Sequence, residues 1–67
     1  MDQGDSNIMA RTKDEAVDFA RRNGFSVDWL KNYEYSMIAQ KVYGGAFTGL
    51  DGATKIYVQD LCAAYNS

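Results

Sequence analysis

The stretch TKDEAVDFARRNGF, residues 12–25, carries the strongest structural signal in the chain. Thr12 and Glu15 have the spacing of a capping box, in which side chains satisfy the free amides of a helix's first turn. Acidic residues follow the start and two arginines precede the end, an arrangement that favours the helix dipole. Gly24 suits the left-handed backbone position that closes a helix. The stretch therefore predicts a helix over residues 13–23.

A second helical segment is expected directly afterwards. Ser26 can cap a run that continues to Tyr43 without glycine or proline. Apolar and aromatic residues recur at helical spacing on two sides of this run, which is typical of a helix packed on more than one face. Asn32 can divide it into a short turn over residues 27–31 and a longer helix. One of the two stripes consists of Trp29, Tyr33 and Met37.

The glycine-rich stretch GGAFTGLDG, residues 44–52, predicts a loop, because four of its nine residues are glycine. It carries two large apolar side chains, Phe47 and Leu50. They either anchor the loop under the helices or project as part of a contact surface. The glycine spacing matches neither pattern of a phosphate-binding loop, so we do not expect a nucleotide site.

A last helix is predicted over residues 55–65, capped by Asp51 or Thr54. Its apolar residues repeat with the spacing of one buried helical face. These residues are Val58, Leu61, Cys62 and Tyr65.

The fold expected from these segments is mainly α, a small three- or four-helix bundle. Residues 1–10 are predicted to be a flexible, disordered acidic N-terminal tail, and residues 11–67 a single small helical domain. The alternative is an α+β fold with a short hairpin, in which residues 35–43 or 56–58 are extended, since short apolar runs suit a strand as well as a helix.

The composition argues against an enzyme. The chain contains no histidine, the commonest general base and metal ligand. Its single cysteine, Cys62, lies on the apolar stripe of the last helix and is expected to fill the core. One cysteine without histidine cannot form a tetrahedral zinc site or an intramolecular disulfide. We therefore expect no catalytic residue, no metal and no cofactor. The acidic cluster near the start of the first helix is expected to be a solvated face.

Binding to another protein is the function that the composition favours. One tryptophan and five tyrosines are more than one small core can enclose with their polar groups satisfied, and tryptophan and tyrosine are enriched at binding hot spots. We expect a non-enzymatic interaction module, such as an adaptor, an inhibitor or an accessory protein of a virus or mobile element. Its partner is another protein or a second copy of itself, as a homodimer. The expected contact residues are Trp29, Tyr33, Met37, Phe47 and Leu50.

Binding to DNA or RNA is the alternative, through a small basic cluster formed by Arg21, Arg22 and Lys31. The charge balance disfavours it. Of the nine acidic residues, Asp2 and Asp5 precede Arg11, so residues 11–67 contain seven basic and seven acidic residues. Nucleic-acid affinity depends on a basic excess. The chain also lacks an apolar run long enough to cross a bilayer, and a lone thiol suits a reducing cytoplasm.

Overall fold

The computed structural model describes residues 11–67, and within that range the protein is built from helices. The elements are α1 (Lys13–Asn23), α2 (Asp28–Lys31), α3 (Tyr35–Tyr43), a 3₁₀ turn (Phe47–Gly49) and α4 (Gly52–Asn66). The predicted small helical bundle is confirmed. Residues 35–43 and 56–58 are helical, so the α+β alternative is wrong. The predicted N-terminal tail, residues 1–10, lies outside the described residues.

Helix α1 begins and ends as its sequence predicts. The Thr12 hydroxyl accepts a hydrogen bond from the Glu15 amide at 3.0 Å. At the other end, Gly24 adopts a left-handed φ of +74°. The Phe25 amide then donates to the Ala20 carbonyl at 3.0 Å, which is the bond that defines a Schellman ending. The predicted bounds, residues 13–23, are confirmed.

Helix α2 has the same ending, but with a tyrosine in the glycine position. Tyr33 has a φ of +55°. The Glu34 amide donates to the Trp29 carbonyl at 2.8 Å, and the Tyr33 amide donates to the Leu30 carbonyl at 3.3 Å. These two bonds form a complete Schellman motif. The chain therefore breaks between Asn32 and α3, as the short-turn alternative predicted.

The start of α4 differs from its prediction. The Asp51 carboxylate accepts a hydrogen bond from the Thr54 amide at 2.8 Å. Because Asp51 is the cap, the helix begins at Gly52, three residues before the expected start at residue 55. The loop after α3 is correspondingly shorter than its glycine content indicated.

The core lies mainly between α1 and α4, and α2 closes one side of it. The predicted buried face of α4 is confirmed for Val58, Leu61 and Cys62, whereas Tyr65 is half-buried at its edge. Helix α3 contributes Ile38 to this cluster. The buried apolar residues are Ala16, Phe19, Ala20, Phe25, Leu30, Ile38, Ala39, Val58, Leu61 and Cys62.

Candidate functional site

Aromatic rings from α1, α2, α4 and the turn after α1 form a continuous row through the core. The Phe19 ring meets the Tyr57 ring edge to face at 5.6 Å between centroids and the Phe25 ring at 5.8 Å. Phe25 in turn stacks on Trp29 at 5.2 Å, with only 14° between the ring planes. Trp29 is half-buried in this position. The row therefore assigns Trp29 a packing role at the edge of the core.

A second group of rings surrounds the start of α3. Tyr33 meets Tyr35 edge to face at 5.8 Å, and Tyr35 stacks on Phe47 at 5.0 Å. We call Tyr33, Tyr35 and Phe47 the Tyr33 cluster. Phe47 belongs to the 3₁₀ turn, so the chain after α3 folds back along the helix to reach its first residue. The cluster thus joins the α2–α3 turn to the loop.

The members of the cluster differ in exposure. Tyr33 leaves 45% of its surface in solvent, while Tyr35 and Phe47 are half-buried and pack against the core. Tyr35 contacts the Tyr33 ring directly, and Phe47 stacks on Tyr35. The hydroxyl of Tyr35 has a raised pKa, chiefly because burial disfavours its charged form. The cluster therefore presents one exposed tyrosine next to two half-buried rings.

Met37 is the other exposed apolar residue of this region, at 43%. Met37 follows Tyr35 by two residues, so the two side chains are separated by about 200° around the axis of α3. Because Tyr35 packs against the core, Met37 lies on the opposite side of the helix. Four residues separate it from Tyr33, which limits the distance between their Cα atoms to about 14 Å. An interface of about 800 Å² on each partner is roughly 30 Å across, so one partner can reach both side chains.

The five predicted contact residues therefore have different environments. Tyr33 and Met37 are exposed, whereas Trp29, Phe47 and Leu50 are half-buried. The predicted stripe of Trp29, Tyr33 and Met37 is not continuous, because the left-handed backbone at Tyr33 ends one helix before the next begins. Of the two roles considered for Phe47, its stacking on Tyr35 favours the loop anchor.

Two features of this site were not anticipated. Tyr35 is not among the predicted contact residues, and it is the ring that connects Tyr33 to Phe47. The left-handed backbone of Tyr33 has no sequence signal of its own, since tyrosine is not a turn residue. The one hint is Asn32, a residue that often ends helices, directly before it.

The basic residues of the nucleic-acid alternative lie in the last turns of α1 and α2. Arg22 is already paired, since its Nε lies 2.7 Å from the Asp18 carboxylate. Lys41 is not part of the predicted basic cluster, but its side chain lies near the end of α1. A Cβ atom built on Gly24 would lie 3.8 Å from the Lys41 Cε atom. Binding of nucleic acid by Arg21, Arg22 and Lys31 stays a prediction.

Reactive groups in the described part of the chain are few. Cys62 is buried, and burial raises the pKa of its thiol to about 11, so it is protonated near neutral pH. Across residues 11–67 there is no pocket and no group of three or more potential metal ligands. None of the helices in this range combines the length and apolar character needed to cross a membrane.

The chain matches no protein-family model, no curated protein and no solved structure.

Proposed function

We propose that this protein is a small non-enzymatic interaction module that binds another protein through Tyr33 and Met37, with Tyr35 and Phe47 as the supporting base. It acts as an adaptor or inhibitor by occupying its partner. We place it in the cytoplasm, where a lone thiol such as Cys62 stays reduced.

The observation that carries this proposal is the combination of backbone strain and exposure at Tyr33. Left-handed backbone costs a non-glycine residue about 1–2 kcal/mol. A glycine in the same place would form the same helix ending without that cost. Contact with the Tyr35 ring offsets part of it, yet 45% of Tyr33 remains in solvent. Strained, exposed residues of this kind cluster at functional sites.

The amount of exposed apolar surface favours a different protein over a second copy of the chain. Taking about 200 Å² for a whole tyrosine, Tyr33 exposes roughly 90 Å². An obligate homodimer buries about 1,000 Å² or more on each subunit, about 65% of it apolar. Tyr33 and Met37 together supply well under half of that apolar area. They suit a hot spot, where a few side chains enter a pocket on the partner and polar surroundings complete the contact.

Charge supports a protein partner over a nucleic acid. Residues 11–67 carry equal numbers of basic and acidic side chains. The exposed pair of Arg22 and Asp18 is internally compensated. A nearly neutral surface with exposed aromatic groups recognises shape and apolar contact, which proteins provide more often than a phosphate backbone does.

Site-directed photocrosslinking in cells that produce the protein tests the proposal. A photoreactive benzoylphenylalanine in place of Met37 is expected to give one adduct whose added mass is that of a different protein. The matched control places the same group at Ile56, an equally exposed apolar residue of α4, where we expect no adduct of that mass.

The other outcomes contradict the proposal in distinct ways. An adduct of twice the chain mass at the Met37 position indicates self-association. A nuclease-sensitive adduct supports the alternative through Arg21, Arg22 and Lys31. Equal crosslinking at the Met37 and Ile56 positions shows that the contact surface is elsewhere.

A further inference from the structure

One side-chain hydrogen bond joins distant parts of the chain. The Asn66 side-chain amide, in the last turn of α4, donates to the Leu30 carbonyl and to the Cys62 carbonyl, both at 2.8 Å. Within residues 11–67, every other side-chain hydrogen bond links residues no more than four apart. An amide group has two N–H donors, so both bonds form at once. Asn66 therefore fastens α2 to α4.

The carbonyl that Asn66 reaches is part of the turn that presents Tyr33. The Leu30 carbonyl oxygen also accepts a hydrogen bond from the Tyr33 amide, at 3.3 Å. That bond is one of the two that hold Tyr33 in its left-handed conformation. The Leu30 side chain is fully buried, so its carbonyl is fixed relative to the core. Asn66 and Tyr33 thus share one acceptor.

Helix α2 depends on such external support. It has only four residues, far fewer than an isolated helix needs to be stable in water. Its first turn is satisfied by the Ser26 hydroxyl, which accepts from the Asp28 amide at 3.1 Å. Its end is satisfied by the Schellman bonds and by Asn66. Helix ends open more readily than helix centres. The last turn of α4, which carries Asn66, can therefore open while the rest of the helix stays formed.

We propose that Asn66 is a positioning residue for Tyr33. An ordered last turn of α4 holds the Leu30 carbonyl, the carbonyl holds the α2–α3 turn, and the turn holds the Tyr33 ring outward. Opening of the last turn of α4 would break the bond to Leu30, release the turn and weaken the contact. The structural link stands by itself, and only its effect on binding rests on the proposed function.

Amide hydrogen exchange of the Asn66→Ala protein tests the link without any partner. The Tyr33 and Glu34 amides, which make the Schellman bonds, are expected to exchange about fivefold faster, as for the loss of one supporting hydrogen bond. The Ile38 and Leu61 amides should change less. The matched control is Asn23→Ala, which removes a side-chain bond of equal length to Phe19, at the end of α1. It should leave Tyr33 and Glu34 unchanged.

A second variant separates this role from a general loss of stability. Asn66→Asp keeps the shape but replaces the donor with an acceptor, and it should affect the Tyr33 and Glu34 amides at least as much as Asn66→Ala. Equal acceleration of all four amides in both variants would overturn the positioning role, as would unchanged exchange at Tyr33 and Glu34. Either result can occur whether or not Tyr33 binds a partner, so failure of the link is distinguishable from failure of the proposed function.

Discussion

Tyr33 occupies in the ending of α2 the position that Gly24 occupies in the ending of α1. Both have a left-handed backbone, with φ of +55° and +74°. Each is followed by a residue whose amide donates back across the turn, Glu34 to Trp29 and Phe25 to Ala20. Glycine adopts this conformation freely, and tyrosine does so at a cost. The four-residue helix α2 therefore ends with a strained residue that leaves 45% of its surface in solvent.

Substitution at Tyr33 should give an unusual order of stabilities. We expect Tyr33→Gly to be about 1 kcal/mol more stable than Tyr33→Ala, because both lose the ring but only glycine relieves the left-handed strain. Urea unfolding of both proteins measures the difference. The control pair is at Gln59, an exposed position inside α4. There the alanine variant should be about 1 kcal/mol more stable than the glycine variant. The same order at both positions would show that Tyr33 is not left-handed.

The stacked rings of Tyr35 and Phe47 should be energetically coupled. Phe47→Ala is expected to destabilise the protein by roughly 1–2 kcal/mol, less than a fully buried phenylalanine, because Phe47 is half-buried. A double-mutant cycle with Tyr35→Ala should give a coupling of about 0.5–1.5 kcal/mol. Thr48→Ala, at the exposed neighbouring position, is the control and should change stability by less than about 0.5 kcal/mol. Additive effects of the two ring substitutions would mean that the loop does not anchor on α3.

The sequence predicts most of this fold because its local signals agree. Thr12, Gly24 and Phe25 each satisfy a defined need of a helix end, and these needs depend only on neighbouring residues. The buried face of α4 follows from its spacing in the same way. The start of α4 was misplaced because Asp51 and Thr54 are both acceptable caps, and the choice between them depends on where the loop enters the core.

The candidate site was harder to predict, for a physical reason. A helical stripe of Trp29, Tyr33 and Met37 requires an unbroken helix, and the break depends on long-range contacts. Asn66 holds the end of α2 from 36 residues away in sequence. Phe47 reaches Tyr35 only because the loop folds back along α3. Neither contact has a local signal. The sequence therefore shows that Asn32 can break the run, but not that Asn66 holds the end of α2 or that Phe47 stacks on Tyr35.

Acid should weaken the start of α4. The Thr54 amide, which donates to Asp51, holds the pKa of that carboxyl below its ordinary value. A carboxyl with a lowered folded-state pKa stabilises the fold fully above its unfolded pKa, near 4, and loses that contribution as pH falls through the folded value. We therefore expect the Tm to decrease when the pH is lowered below about 4. Asp51→Asn should keep the cap but reduce the dependence of the Tm on pH below about 4. A pH dependence equal to that of the unmodified protein would contradict the role of the Asp51 carboxylate.

Cys62 should react with thiol reagents only when the protein opens. Its thiol is fully buried and its raised pKa, about 11, keeps it protonated at pH 8. Labelling by iodoacetamide should therefore be far slower in the native protein than in 6 M guanidinium, and should accelerate in the destabilised Phe47→Ala protein. Rapid labelling of the native protein, at the rate of a free thiol, would show an exposed and reactive cysteine instead.

The most direct test of the proposed function is capture of a partner by three immobilised proteins: the unmodified chain, Tyr33→Gly and Ile56→Ser. Tyr33→Gly removes the exposed ring while preserving the helix ending, and Ile56→Ser removes an equally exposed apolar group from α4. We predict that one protein is retained by the unmodified chain and by Ile56→Ser, and is lost with Tyr33→Gly. Retention of the same protein by Tyr33→Gly, at unchanged affinity, would contradict the central claim.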